Sequence, residues 1–420
     1  MNKILRQIKK IIPTKIFSSL QPIYHWKLAF LAALIYRFPS RKIKVIAITG
    51  TKGKTSTAEI INAILEEAGF KTALAGTLRF KIGDDSKNNM YKMTLPGRFF
   101  VQKFLRQAVN AKCEYVILEI TSQAVVQYRH KFINLDALIF TNLAPEHIES
   151  HGSYENYLAA KLEIAKALEK SKKPNRIIVS NSDDKEGNKF LNINVPTKLP
   201  YSIKDVEPFE IKKEGCEFTW GGQKITSPLS GLFNIYNILA AATFAKSQNV
   251  SDQIIKRAVE KFSGIRGRVE KIDEGQNFTV IVDYAHTPDS LEKLYEVFQS
   301  SRIIAVLGNT GGGRDKWKRI EMANIAEKHA SHIILTDEDP YDDDPRGIVE
   351  DMAKEITEKP LEIIMDRRQA IATAFKEAKP GDAVLITGKG TDPYIMRANG
   401  KKEAWNDAEV AREELRKLKK

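Results

Sequence analysis

The segment that most limits what this chain can fold into runs from Lys44 to Gly69. KVIAITG (44–50) is a short, nearly unbroken apolar run ending in glycine, the pattern of a buried strand. STAEIINAILEEAG (56–69) carries apolar residues at helical spacing and stops at Gly69. Between them lie Gly50, Thr51, Lys52, Gly53, Lys54, Thr55 and Ser56. A strand that turns through glycines into a helix gathers backbone N–H groups and the helix N-terminus around one point, which makes an anion cradle. These seven residues are therefore the candidate phosphate-binding loop, with Lys54 reaching the β- and γ-phosphates of ATP and the Thr55 hydroxyl holding Mg²⁺. The string is GxxGKT, shorter than the full P-loop pattern, so the strand and helix around it carry the reading.

The rest of the chain repeats the alternation of strand and helix. EYVILEIT (114–121), ALIFTNL (137–143) and RIIVSN (176–181) read as buried strands, and YENYLAAKLEIAKAL (154–168) as a helix. A second block holds the strands FTVIVDYA (278–285), RIIAVLGN (302–309), HIILTD (332–337) and DAVLITGKG (382–390), with KRIEMANIAEKHA (318–330) as a helix among them. Such alternation predicts an α/β fold: a P-loop central domain with a mostly parallel sheet, then a C-terminal Rossmann-like α/β domain. The expected division is a basic extension (1–42), a central ATP-binding domain (43–265) and a C-terminal domain (266–420). Several strands of the second block end in Asp, Asn or Gly, and in open α/β sheets the ligand crevice lies at those carboxyl ends.

Charge is uneven. Residues 1–44 hold ten Lys and Arg and no acid, so they supply most of the chain's net charge of +13. A nearly neutral body with a basic head, and no nucleic-acid-binding motif, argues against nucleic acid as a partner. Within the head, IYHWKLAFLAALIYRF (23–38) is much shorter in its apolar run than the ~20 residues a spanning helix needs. Two readings stay open, a helix packed on the body and an interfacial helix on an anionic bilayer. The two cysteines, Cys113 and Cys216, form no CxxC pair and fit a reducing compartment. The expected location is the cytoplasm, with the inner membrane face as a possible seat, and the expected state a monomer.

Further segments follow an order that resembles one known family. GTKGKTS is similar to the variant P-loop of Mur ligases and folylpolyglutamate synthases. LEITSQAVVQYR (118–129), FTNLAPEHIESHGSYENYLAAK (140–161), GLFNIYN (231–237), GRVEKI (267–272), VDYAHTPDSL (282–291), GNTGGGRDKWKR (308–319) and GKGTD (388–392) match successive family motifs. The resemblance covers about residues 43–420, and the YAHTP and GRDKxKR segments point to the E type. It implies an ATP-dependent ligase that activates the carboxylate of a muramyl peptide as an acyl phosphate and joins it to a free amino acid. The chemistry agrees, because a transition state gathering negative charge needs Mg²⁺, Lys and Arg in fixed places.

The family also implies roles residue by residue. Glu119 would hold Mg²⁺ beside Thr55, and His147 a second metal. Lys161 would be a carbamylated lysine, a role that spacing alone does not suggest. Asn234 would read the adenine edge, Arg268 and Asp283 would contact ribose and phosphates, and His286 would lie near the γ-phosphate. Thr94, Ser122, Gln127 and Arg129 match positions that contact the sugar and peptide, while Arg319, Asp339, Tyr341, Gly388 and Asp392 fall in the amino-acid-binding segments.

Two departures stand out. Only the basic head precedes the loop where the family has a uridine-nucleotide domain of about a hundred residues, an ordinary domain size, so a lipid-linked acceptor becomes conceivable. At the amino-acid selector, the family's D-N-P-R is Glu338-Asp339-Pro340-Tyr341. Tyrosine cannot pair bidentately with the distal carboxylate of diaminopimelate, while Asp339, Asp342, Asp343, Asp344 and Asp392 would suit a distal ammonium. The expectation is therefore L-lysine, or a similar diamine, over diaminopimelate. The alternatives are a ligase on another carboxylate, such as a folate-linked or lipid-linked one, and a non-catalytic nucleotide-binding subunit.

Overall fold

The computed structural model describes residues 14–146, 151–313 and 316–418. Its contacts divide the chain into two compact units, 1–207 with 236–259 and 208–235 with 260–420.

In the first unit, β1 (Lys44–Thr49) is the centre of an eight-stranded sheet. It pairs in parallel with β5 (Tyr115–Glu119) on one side and β6 (Ala137–Phe140) on the other. The sheet continues outward through β2 (Thr72–Ala75) beside β5, and through β7 (Ile177–Asn181) and β8 (Thr197–Tyr201) beyond β6, all parallel. An antiparallel hairpin, β3 (Arg79–Ile82) and β4 (Asp85–Asn88), closes the β2 edge. The central strands are fully buried because helices cover them: α2 (Lys54–Glu67), α3 (Arg98–Asn110) and α4 (Tyr154–Glu169). Val45, Ala47, Val116, Leu118, Leu138, Phe140 and Ile164 share one core cluster. The sheet therefore delivers the ends of β1, β5 and β6 side by side.

The apolar head is a helix, α1 (Thr14–Ile35), seated against α3. Small residues make that close approach feasible: Ala29, Ala32 and Ala33 are buried. Arg106 of α3 donates to the Tyr36 carbonyl at 3.0 and 2.8 Å, satisfying an end that would otherwise lack a partner. The opposite face leaves Ile23, Tyr24, Trp26, Leu31, Leu34 and Ile35 exposed. No helix among the described residues is long and apolar enough to cross a membrane.

The second unit holds two sheets that the hydrophobic pattern alone does not announce, plus the expected one. A three-stranded antiparallel sheet comes from β9 (Glu210–Lys212), β10 (Gly215–Trp220) and β11 (Gln223–Ser227). The main sheet has the order β12 (Glu270–Lys271), β13 (Thr279–Asp283), β17 (Ala383–Thr387), β14 (Ile303–Leu307), β15 (His332–Leu335) and β16 (Leu361–Ile363). All its pairings are parallel except β12 with β13. A small hairpin, β18 (Tyr394–Met396) with β19 (Lys402–Ala404), follows. The expectation of mostly parallel α/β sheets is borne out in both units.

Candidate active site

The glycine-lysine loop leaves β1 and enters α2 with Gly53 as the cap, at φ +80°. A Cβ at Gly53 would also lie 2.3 Å from Asn237 Oδ1, so this position tolerates only glycine. The loop is tied down from neighbouring strand ends. Asn142, after β6, accepts from Lys52 N at 2.9 Å through its side chain and from Thr51 N at 2.8 Å through its carbonyl. Thr51 Oγ1 lies 3.1 Å from the Tyr157 hydroxyl. Lys52 pairs with Glu146 at 3.2 Å. Lys54 Nζ donates back across the loop to the carbonyls of Gly50 and Thr51, both at 2.8 Å. Ser56, in the first turn of α2, is buried.

Glu119 ends β5 beside this loop and is buried at 1% exposure. Its carboxylate accepts from Thr55 Oγ1 at 2.8 Å, from Thr77 N at 2.9 Å and from Thr77 Oγ1 at 3.0 Å. Burial holds its carboxyl above the usual range, against the lowering effect of those hydrogen bonds and of Lys54. A threonine hydroxyl and a buried carboxylate are the hard oxygen donors Mg²⁺ takes, and a cation here would offset the burial cost of Glu119. The residues present therefore fit that ion. Thr94 joins the cluster through Thr77, oxygen to oxygen at 3.1 Å.

Lys161 comes from α4, 1% exposed, and donates from Nζ to the Gly50 carbonyl at 2.7 Å. Its Nζ lies 4.7 Å from the Tyr157 ring centroid. Burial, and then the charge of Lys54, hold its pKa well below that of free lysine. The amine is thus inclined to be neutral, the form that can react with CO₂. Ser122, also buried, shares a 3.0 Å contact with His151 Nε2. Burial and the nearby Lys161 push the His151 pKa down. Gln127 accepts from Arg129, which also donates to the Leu95 carbonyl. His147 lies outside the described residues.

In the second unit, Asp283 ends β13 and accepts from the backbone N–H of Val269 and of Ala285, both at 2.6 Å. This fastens the strand to the segment carrying Arg268, whose guanidinium stacks on Tyr284 at 4.3 Å. His286 is held by a 2.7 Å contact of Nδ1 with the Tyr284 carbonyl. Asp283, Arg268 and His286 are thus gathered around Tyr284. Asn234 is buried and donates to the Ser230 carbonyl at 2.8 Å.

The acidic run after β15 behaves differently from the expectation of an ammonium trap. Asp339 accepts from the buried Lys389 at 2.9 Å and from Met396 N at 2.7 Å, and Asp392 lies 3.5 Å from the same lysine. Asp342 takes the Asn399 N–H at 2.7 Å. Asp343 takes that of Gly312 at 3.1 Å and lies 3.6 Å from Arg319. Asp344 caps the helix that begins at Pro345. The carboxylates are committed to lysine, arginine and backbone donors inside the protein, so their pull on an outside ammonium is largely spent. Arg319 is itself buried against Asp351 at 2.9 Å. Tyr341, at φ +54°, packs its ring against Gly312. Glu338 is the unspent acid. Buried at 3% exposure, it accepts from Thr310 at 2.9 Å while its Oε2 has no partner, and burial lifts its pKa to about 7. Gly388 passes so close that a Cβ there would lie 2.2 Å from that oxygen.

Sequence reasoning missed Thr77, Asn142, His151, Tyr157 and Asn237. Asn142, His151 and Tyr157 lie within the matched segment FTNLAPEHIESHGSYENYLAAK, and Asn237 closes GLFNIYN, so the signal was present for those four.

Residues 48–245 match the family model for the Mur ligase middle domain, and residues 267–390 that for the Mur ligase glutamate ligase domain. A UDP-N-acetylmuramoyl-L-alanyl-D-glutamate–2,6-diaminopimelate ligase of Syntrophomonas wolfei is 37% identical over 93% of this chain and 81% of its own length. A UDP-N-acetylmuramyl-tripeptide synthetase of a Roseiflexus species is 36% identical over 93% of this chain and 82% of its own. A solved structure of a 2,6-diaminopimelate ligase of the same name matches with a TM-score of 0.63 at 28% identity, covering 90% of this chain and 79% of that one.

Proposed function

Because the chain belongs to the Mur ligase family, and within it to the tripeptide-synthetase type, we propose that the cluster around Thr55, Glu119 and Lys161 activates a muramoyl-dipeptide carboxylate for attack by a diamino acid. The enzyme is an ATP-dependent amide-bond-forming ligase of peptidoglycan precursor synthesis. The observation that carries the site assignment is the meeting of a strand end and a helix on one loop: Lys54 and Lys161 of α4 both reach the Gly50 carbonyl, while Thr55 and Glu119 at the end of β5 share a hydrogen bond.

ATP, bound with Mg²⁺, supplies the phosphoryl group that turns the acceptor carboxylate into an acyl phosphate, from which phosphate leaves when the amine attacks. In this reading Gly50 to Ser56 cradle its phosphates with backbone N–H groups, and Lys54 swings from the loop carbonyls to the transferred group. Thr55 and Glu119 hold the cation, with His147 assigned to a second one. Lys161, carbamylated, becomes a carboxylate-like ligand, supported by its burial and lowered pKa. Asn234, Arg268, Asp283 and His286 serve the nucleotide. Thr94, Ser122, Gln127 and Arg129 serve the acceptor, and Arg319, Asp339, Tyr341, Gly388 and Asp392 line the amino-acid segment. The working division is 43–265 for ATP binding and 266–420 for the last domain. All these residues lie on one chain, so a monomer suffices.

For the amino acid, Tyr341 in place of arginine supports L-lysine over diaminopimelate, although the neighbouring acids lend less help than their number suggests. For location, the exposed apolar face of α1 and the acid-free basic head support a cytoplasmic enzyme resting peripherally on an anionic membrane. The test is phosphate release by purified protein, expected only when ATP, a muramoyl dipeptide and a diamino acid are all present. Release that is indifferent to the dipeptide would reject the assignment.

A further inference from the structure

Where the head helix meets the acceptor loop, two arginines face each other without an acid. Arg98 opens α3 and donates to His25 Nδ1 of α1. Arg129 donates to the Leu95 carbonyl and to Gln127. Among the described residues no carboxylate pairs with either arginine, and burial lowers the pKa of both, Arg129 further through the charge of Arg98. Like charges held together where water is partly excluded are costly unless an anion joins them.

Two side-chain nitrogens at this junction are also unsatisfied. Arg98 Nε and His25 Nε2 are buried and have no partner. Burial and the two arginines hold His25 neutral, with a pKa of about 4. Its Nδ1 accepts from Arg98, so the imidazole proton sits on Nε2, and both orphaned atoms are donors. Unsatisfied buried donors beside two guanidiniums match the oxygens of a phosphate group, which guanidinium forks bind bidentately.

A chain of contacts also ties these side chains to the reaction centre. Glu119 holds Thr77, Thr77 touches Thr94, and Leu95, the next residue, holds Arg129. A substrate with its reacting carboxylate near Glu119 could carry an anion at its other end to these arginines.

We propose that His25, Arg98 and Arg129 form a pocket for the diphosphate of the acceptor, so that α1 supplies part of the acceptor site. This rests on the ligase reading above and adds the residues that hold the acceptor's diphosphate, with α1 among the elements that supply them. The diphosphate could belong to a nucleotide or to a polyprenyl lipid, since the pocket reads only the shared chemistry.

The test compares wild type with Arg98→Gln, and separately with His25→Gln, on three muramoyl-dipeptide acceptors: UDP-linked, short polyprenyl-diphosphate-linked and diphosphate-free. Arg98→Gln should raise KM at least tenfold for the diphosphate-bearing acceptors. The KM for ATP, the kcat at saturation and the KM for the diphosphate-free acceptor should stay unchanged, and His25→Gln should act in the same direction more weakly. Whichever diphosphate acceptor has the lower KM in the wild type identifies the source. Calorimetry of inorganic pyrophosphate with the P-loop saturated by ADP tests the pocket apart from turnover. Binding should be seen in wild type and lost in Arg98→Gln. Absent pyrophosphate binding, or equal losses on all three acceptors, would overturn the pocket. Amide formation with none of the acceptors, while pyrophosphate still binds, would instead indict the ligase reading.

Discussion

Replacing Lys161 with methionine separates the chemistry of the site from its packing. The side chain is fully buried, and its Nζ donates to the Gly50 carbonyl at 2.7 Å. That carbonyl keeps a second donor, Lys54 at 2.8 Å, so the lost bond should cost no more than about 1 kcal/mol of stability. Methionine has nearly the same length and needs no desolvation, so the fold should survive. Catalysis should not: if the carbamate helps hold the cation, the rate should fall by about 10²-fold or more, the range for a preorganised electrostatic contact. The pH dependence has a definite sign. Lys161 has a folded pKa below its unfolded one, so it costs stability when protonated, and that cost grows as pH falls from the unfolded value towards the folded one. In CO₂-free buffer, Lys161→Met should therefore gain melting temperature on the wild type as pH is lowered. Phosphate release should be partly restored in the variant by formate or acetate and not by methylamine. A variant that keeps more than a tenth of the wild-type rate, with its fold confirmed by circular dichroism, would refute the metal-ligand role.

Two further outcomes follow from the second unit. Glu338 has a folded pKa of about 7, above that of a free carboxyl, so its burial cost is absent below the unfolded value and complete above the folded one. Glu338→Gln should stabilise the protein at pH 8 by on the order of 3 kcal/mol and have little effect at pH 4, read by denaturant unfolding at both pH values; equal effects at both would contradict the assignment. Tyr341→Arg should shift the kcat/KM ratio towards diaminopimelate over lysine by about tenfold or more through a new charge-assisted pair, and a wild type that already prefers diaminopimelate would defeat the reasoning.

The parts of this protein that were readable in its sequence share a physical cause. Strands such as Val116–Leu118 and Ile304–Leu307 are buried on both faces, so their composition alone marks them. The loop at Gly50–Ser56 stands out because its geometry admits few residues, Gly53 above all. Glu119 and Lys161 needed the ordered motifs, since a strand-end glutamate and a helix lysine carry no spacing signal of their own. What stayed hidden was held by pairing rather than by composition. β4 is exposed at every residue and β9 likewise, so neither shows an apolar period, and only neighbouring strands define them. The acidic run at 339–344 looked like an open negative patch because sequence cannot show that Lys389, Arg319 and several backbone N–H groups already occupy it. Thr77 is legible only once the fold brings it to Glu119, 42 positions away.

The most direct test of the central claim follows one oxygen atom. If the acceptor carboxylate is phosphorylated before the amine attacks, one of its oxygens leaves with the phosphate when the amide forms. A muramoyl dipeptide labelled with ¹⁸O in the reacting carboxylate, incubated with the enzyme, ATP, Mg²⁺ and L-lysine, should yield inorganic phosphate carrying one ¹⁸O per amide formed, read by mass spectrometry. Amide formation with unlabelled phosphate would contradict the account.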